Sequence, residues 1–292
     1  MIGGRRYRGR FAPSPTGDLH FGSLYAALAS WLDARRHGGE WLIRIEDLDP
    51  PRELAGSAEG ILETLAAYGM ESDGPIEWQS RRSALYADAL EFLRARGHAF
   101  ECRCSRKRLA ASGLHHGVCN APPSTRHRPA AWRVLVPELE VEYVDAVRGA
   151  MRQDLWRAVG DFVVRRVEGY YAYQLAVVVD DAAQGVTDVV RGGDLLDSTA
   201  RQIYLQRLLG HPTPRYLHVP LVVDGGGRKL SKHYASAPVS RQDPLPALTL
   251  ALELLGIDPD ALPRIRQPAT LIQAAVPLFD PTRIPRDPTL AL

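Results

Sequence analysis

Arg10-Phe-Ala-Pro-Ser-Pro-Thr-Gly-Asp-Leu-His-Phe-Gly-Ser23 decides how the rest of the chain is read. Two prolines, two glycines and a histidine separate the β-like Tyr7–Ala12 from a segment in which Leu24, Leu28, Trp31 and Leu32 recur at helical spacing. The pattern predicts a strand-to-helix crossing, with the first N–H groups of the helix facing whatever the loop holds, and an anion is their natural guest. Pro13 and Pro15 fix the backbone, Gly17 and Gly22 permit close approach, and His20 can donate to a phosphate oxygen. Taken alone, the stretch reads more readily as an ordinary βα loop.

A second stretch, Gly225-Gly-Gly-Arg-Lys-Leu-Ser-Lys232, follows the apolar Leu217–Val223 and sets Lys229 and Lys232 three apart on a glycine-rich loop. By itself it reads as a solvated hairpin tip. Between the two stretches, Glu40–Glu46 alternates like a strand, and Asp49-Pro-Pro-Arg52 is a stop. Ile61, Leu62, Leu65 and Tyr68 mark a helix with Ser57 as its cap, and Leu85, Ala89, Phe92 and Leu93 mark another that ends at Gly97. Strand and helix in alternation, with crossover-sized connections, imply a parallel α/β sheet.

From about Ala99 the character changes. Seven Arg and Lys and no Asp or Glu lie between Cys102 and Pro137, and strand-like pieces at Ala131–Val136, Glu140–Val147 and Asp161–Arg166 suggest a small antiparallel insert. Tyr173–Asp181 is ambiguous, because three consecutive valines favour a strand. Thr187–Arg191 then reads as a core strand, Leu195–Leu209 as a helix and Tyr216–Val223 as a strand. After Ser231 a helix is expected around Leu245–Leu255, followed by seven prolines from Pro259 to Pro288, a composition that leaves the end open to partial disorder.

At 292 residues and 45% hydrophobic content the chain can bury a sizeable core, and its length suggests two domains. Thirty-six basic against thirty-four acidic side chains give +2, so any nucleic-acid face must come from local clustering. No apolar run approaches the ~20 residues of a membrane span, and Met1–Phe11 lacks a hydrophobic signal region, so a cytoplasmic protein is expected. All three cysteines fall between Cys102 and Cys119, which excludes a disulfide framework. Cys102-x-Cys104 with Cys119 and either His115 or His116 makes a Cys₃His set suited to one tetrahedral structural Zn²⁺ per chain.

Together the two opening stretches resemble the paired nucleotide signatures of class I aminoacyl-tRNA synthetases. The glutamyl group is resembled most, through Pro13-Ser14-Pro15-Thr16-Gly17 before Leu19-His20, Arg44-Ile45-Glu46-Asp47, Val177-Val178-Val179-Asp180-Asp181 and Arg191-Gly192. The resemblance runs from about residue 7 to residue 255 and implies an α/β fold: a Rossmann catalytic domain over 1–98 and 172–230, an inserted zinc-bearing α+β subdomain over 99–171, and a helical stem-contact-like segment over 231–292. It places a helix at Tyr173–Asp181, and it favours His115 as the fourth zinc ligand. One motif position departs, since Ser23 stands where a second histidine is common.

The implied chemistry is ATP-dependent activation of L-glutamate. His20, Gly22, Lys229, Ser231 and Lys232 would bind ATP, with His20 and Lys232 catalytic and Mg²⁺ arriving with the nucleotide. Arg10, Ala12, Ser14, Glu46, Tyr173 and Arg191 would form the glutamate pocket, where Arg10 or Arg191 takes a carboxylate and Glu46 the ammonium. About sixty residues follow Lys232, too few for an anticodon-binding module. That shortness and the C-x-C metal pattern resemble the glutamyl-queuosine tRNA(Asp) synthetases. These activate glutamate without tRNA and pass it to queuosine at the wobble position of tRNA(Asp), so the implied partner is the anticodon arm, with the enzyme a monomer. A short glutamyl-tRNA synthetase that charges a 3′ end, and a zinc-containing RNA-binding paralogue without catalysis, are the alternatives. Replacing Lys232 by Ala is expected to abolish glutamate-dependent ATP/pyrophosphate exchange; retained exchange would remove that lysine from the site.

Overall fold

Strand β1 (Arg8–Phe11) and helix α1 (Phe21–Arg36) flank the opening loop, as the spacing predicts. These coordinates are a computed structural model describing residues 6–105, 109, 113–117, 119, 121–125, 127–223, 238–264 and 266–291. The expectations for Lys229, Ser231 and Lys232, and for Arg106, Lys107, Arg108 and Arg126 of the basic run, fall outside the described residues.

The chain continues through β2 (Glu40–Ile45), α2 (Ser57–Ala67), β3 (Glu77–Trp78), α3 (Ser83–Ala95), β4 (Ala99–Cys102), β5 (Ala131–Val134), β6 (Glu140–Asp145) and β7 (Gly149–Asp154). There follow α4 (Leu155–Ala158), β8 (Phe162–Arg165), α5 (Tyr173–Ala183), β9 (Asp188–Gly192), α6 (Thr199–Leu209), β10 (Arg215–Val219) and β11 (Leu221–Val223). Helices α7 (Leu245–Leu254) and α8 (Pro268–Ala275) and strand β12 (Thr289–Ala291) complete it.

Strands β1, β2 and β3 pair in parallel, and β9, β10 and β6 do likewise, with β7 antiparallel at the edge. The two groups abut where the Thr187 N–H donates to the Arg8 carbonyl at 2.9 Å. Side chains alternate across this sheet as strand geometry demands. Val190 and Leu217 join a core with α1, α2, α7 and α8, whereas Val189 and Tyr216 face α3, α5 and α6. Both faces of the sheet are therefore covered by helices.

Tyr173–Asp181 is helical, and Leu175 to Asp181 are all buried, so the consecutive valines report burial on every side rather than a strand. Within 99–171, β4, β5 and β8 form an antiparallel sheet of their own. The β6–β7 hairpin does not join it: Asp145 pairs with Tyr216 and extends the larger sheet. Ser57 does not cap α2, whose N-cap is Gly56; its hydroxyl instead bonds both the N–H and the carbonyl of Gly17, clasping the opening loop. The proline-rich end is packed, with Ile272, Phe279 and Ile284 buried in the α1 core and β12 paired with β11. Among the described residues no helix is long and apolar enough to cross a membrane.

Gly69, just beyond α2, has φ +79°, and a Cβ there would lie 2.5 Å from the Ala269 Cα of α8. Gly69→Ala should therefore cost about 3 kcal/mol, through backbone strain and displacement of α8. The measurement is a urea unfolding curve, with the midpoint falling and the slope unchanged.

Candidate active site

Ligands in parallel α/β sheets gather beyond the carboxyl ends of the strands, where the helix N-terminus also opens. His20 is the N-cap of α1. Its Nδ1 accepts the Ser23 N–H at 3.3 Å, and its Nε2 lies 3.0 Å from the Ser23 hydroxyl. A bare Nδ1 puts the ring proton on Nε2, so Ser23, the departure from the motif, is the partner that orients His20. Gly22 leaves room for this arrangement, since a Cβ there would sit 3.4 Å from the imidazole. No acidic residue occupies the first turn of α1, so the positive end of its dipole is not offset by a carboxylate of that turn.

At the end of β1, Arg10 is 3% exposed and grips Asp181 of α5 through Nε and Nη2 at 3.1 and 3.3 Å. Arg44 of β2 reaches the same carboxylate at 2.8 Å and Glu46 at 3.3 Å. Burial works to raise the Asp181 carboxyl, but the two guanidiniums hold it below the usual carboxylate range. Glu46 responds in the opposite direction: burial pushes it up to about 7, against the pull of Arg44 and Arg10. Asp180 lies 3.9 Å from Arg44 Nε and accepts from Gln79, Arg82 and Tyr86 at 2.6–2.8 Å, which anchors α3. Ala12 is half-buried and Ser14 exposed on the loop that follows, whose Pro13 carbonyl accepts the Glu46 N–H at 2.9 Å.

On the other side of the sheet's switch point, Arg191 of β9 is 5% exposed and has no carboxylate partner among the described residues. Its donors go to the Tyr173 hydroxyl at 3.2 Å, Gln202 Oε1 at 2.8 Å, the Leu195 carbonyl at 3.3 Å, Thr199 Oγ1 at 3.0 Å and His218 Nε2 at 3.0 Å. His218 in turn bonds Asp145 at 2.7 Å. The expected pair Tyr173 and Arg191 thus meets directly, and Tyr216 lies within the electrostatic reach of both Arg191 and Arg10. Asp145, Thr199, Gln202 and His218 were not singled out by sequence; their only signal was polar residues at core positions of strands and of a helix.

In the insert, the Sγ atoms of Cys102, Cys104 and Cys119 lie within 4.8 Å of one another. The Arg103 N–H points at Cys119 Sγ at 3.2 Å and the Cys104 N–H at Cys102 Sγ at 3.4 Å. Burial raises the Cys119 thiol, but the N–H groups of Arg103 and Ala121 and the thiols of Cys104 and Cys102 together outweigh it, leaving it below its ordinary range. Three soft thiolates so arranged could hold a metal ion such as zinc. His115, the expected fourth ligand, lies outside this three-sulfur group. Its Nδ1 is 2.8 Å from Asp161, its ring leans on Phe100, and Asp161 also takes the Val136 N–H at 2.8 Å. The alternative, His116, stacks on Trp156 with centroids 4.1 Å apart.

Comparisons with known proteins agree with this architecture. The catalytic-domain family of class I tRNA synthetases (E and Q) matches residues 6–276. The glutamyl-Q tRNA(Asp) synthetase of Xanthomonas campestris pv. campestris (strain 8004) is 58% identical over 280 residues, covering 96% of this chain and 94% of that one. Its counterpart in Pseudomonas aeruginosa (strain LESB58) is 54% identical over 285 residues and 97% of each chain. A solved glutamate tRNA ligase from Elizabethkingia meningosepticum, in complex with its amino acid, superposes with a TM-score of 0.79 at 25% identity. That superposition covers 97% of this chain, which spans 66% of the ligase.

For the cysteine cluster, metal analysis of the purified protein should find about one zinc per chain. Cys104→Ser should lose it, whereas His115→Ala should keep it; metal loss in the histidine variant would restore that residue to the ligand set.

Proposed function

We propose that this chain, which belongs to the class I tRNA synthetase family of the glutamyl and glutaminyl type and within it to the glutamyl-Q tRNA(Asp) synthetases, activates L-glutamate with ATP in the absence of tRNA. It then transfers the glutamyl group to queuosine at the wobble position of tRNA(Asp). In the first step the α-carboxylate of glutamate attacks the α-phosphate in line, pyrophosphate leaves and glutamyl-AMP remains. Little covalent chemistry is asked of the protein, which aligns the reactants and offsets the developing negative charge.

The triphosphate would lie against the N-terminus of α1 and Gly22, with His20 at that helix end as a donor; Lys229, Ser231 and Lys232 are proposed to complete the ATP-binding set, and Mg²⁺ would accompany the nucleotide. Beneath it the core is of Rossmann type, and the family's nucleotide chemistry would occur at its switch point. Glu46 holds the α-ammonium, with Ala12 and Ser14 lining the loop. Of the two arginines weighed for the side-chain carboxylate, Arg10 has already committed two donors to Asp181. Arg191 takes that role, with the Tyr173 hydroxyl beside it.

The observation that carries this reading is a buried guanidinium whose every partner is neutral. An unbalanced buried charge is costly, and an entering carboxylate would relieve it. Cys102, Cys104 and Cys119 would hold a structural Zn²⁺ that fixes the insert against which the tRNA anticodon arm docks. The working enzyme is taken as a cytoplasmic monomer. Exchange of pyrophosphate into ATP that depends on glutamate, and not on glutamine, aspartate or tRNA, is the test; a requirement for tRNA would refute it.

Because Glu46 must be ionised to hold an ammonium and burial keeps its proton up to about pH 7, kcat/KM for glutamate should rise with pH through that value and level off above it. Glu46→Gln should flatten this limb and raise the KM for glutamate about 10- to 100-fold, as expected for a lost hydrogen bond to a charged group.

A further inference from the structure

Behind Arg191 lies a buried dyad that the reaction as described does not use. His218 is fully buried and Asp145 is 1% exposed, and they come from different strands, β10 and β6. We propose that Asp145 and His218 are positioning residues: they lock a single imidazole tautomer, which orients the Arg191 guanidinium and thereby sets the preference for glutamate over glutamine. The proposal deepens the functional reading above and rests on it.

The geometry fixes the proton. A guanidinium Nε can only donate, so at 3.0 Å from Arg191 Nε the His218 Nε2 must be bare. The ring proton therefore sits on Nδ1 and is donated to Asp145 Oδ2 at 2.7 Å. Asp145 is itself pinned by the N–H groups of Val147 and Arg148 at 3.0 and 2.9 Å, and it lies below the usual carboxylate range because these bonds and His218 outweigh its burial. Burial also keeps His218 below its ordinary range, so the ring stays neutral. The chain of groups is carboxylate, neutral imidazole, guanidinium, with one proton arrangement that satisfies all three.

This matters for recognition because of how Arg191 differs from Arg10. Asp181 sits directly on the Arg10 fork and occupies it. Asp145 compensates Arg191 only through the ring, so the guanidinium is held from behind while keeping its attraction for a second anion. All five of its N–H groups have neutral acceptors, and the two longest bonds, to the Tyr173 hydroxyl and the Leu195 carbonyl at 3.2 and 3.3 Å, are those a ligand carboxylate can take over. A glutamine amide would turn an N–H₂ toward the same donors and leave them opposed. Discrimination of this kind depends on the fork not rotating, and the Nδ1–H tautomer supplies that restraint.

Asp145→Asn isolates the effect. The asparagine side chain keeps the shape and can accept from Val147 and Arg148 but presents an amide N–H to His218, which drives the ring proton to Nε2, against the Arg191 Nε–H. The variant should show a KM for glutamate raised at least tenfold, a KM for ATP within twofold, and a glutamate-to-glutamine ratio of kcat/KM lowered at least tenfold in pyrophosphate exchange. In the wild-type chain, ¹⁵N spectroscopy of labelled histidine should show His218 neutral, protonated at Nδ1 and bare at Nε2, a reading that stands even where the variant does not fold. An Nε2–H or doubly protonated His218, or a folded variant with unchanged glutamate KM and unchanged selectivity, would overturn the proposal. Absence of glutamate exchange in the wild-type chain would instead sink the functional reading and the selectivity claim with it, whereas wild-type exchange beside an unaffected variant would sink the positioning role alone.

Discussion

Asp181 carries two buried guanidiniums at once, and the site is arranged around that fact. It bonds Arg10 of β1 and Arg44 of β2 from a position on α5, so one carboxylate ties two strands to the helix that crosses them. Removing any member would strand a charge where water does not reach, at a cost of about 3–5 kcal/mol. Replacing the whole group by apolar side chains would change stability far less, by the same reasoning. What the group provides is placement: it turns Arg10 inward, brings Arg44 against Glu46, and leaves Glu46 in the environment that raises its proton affinity.

The two halves of the pocket solve opposite electrostatic problems with the same residue type. Arg10 lies directly against a carboxylate, that of Asp181. Arg191 is equally buried, yet its guanidinium donates to a tyrosine, a glutamine, a threonine, a carbonyl and an imidazole. One guanidinium is matched by a contacting carboxylate and the other is not. Glu46 adds an acidic group within electrostatic reach of Arg10 and Arg44.

The C-terminal segment closes the far face of the same core. Its prolines do not unravel it: Pro268 stands in the first turn of α8, and Pro281 opens a short turn of 3₁₀ helix, positions where a missing N–H costs nothing. Ile272, Phe279 and Ile284 then reach α1, whose own buried face runs from Leu24 to Ala34. The helix whose N-terminus faces the site is thus clamped along its length by residues more than two hundred positions away, and its N-cap histidine inherits that rigidity.

The strand-loop-helix at residues 8–36, the parallel α/β character and the three-cysteine cluster could all be read from the chain, because each is carried by local periodicity or by a motif compact enough to be seen whole; that Tyr173 and Arg191 belong together is implied only by the family resemblance. Three features could not. The valines at 177–179 have no period that separates a helix buried on all sides from a strand, and only packing against α3 and α6 decides between them. That Arg10 meets Asp181, and His115 meets Asp161, depends on which carboxylate each side chain finds across the fold. The dyad of Asp145 and His218, separated by seventy-three positions, exists only because β6 is laid beside β10. Sequence determines which groups are present and how each segment curls; which charge stands next to which is a property of strand order, and no spacing along the chain encodes it.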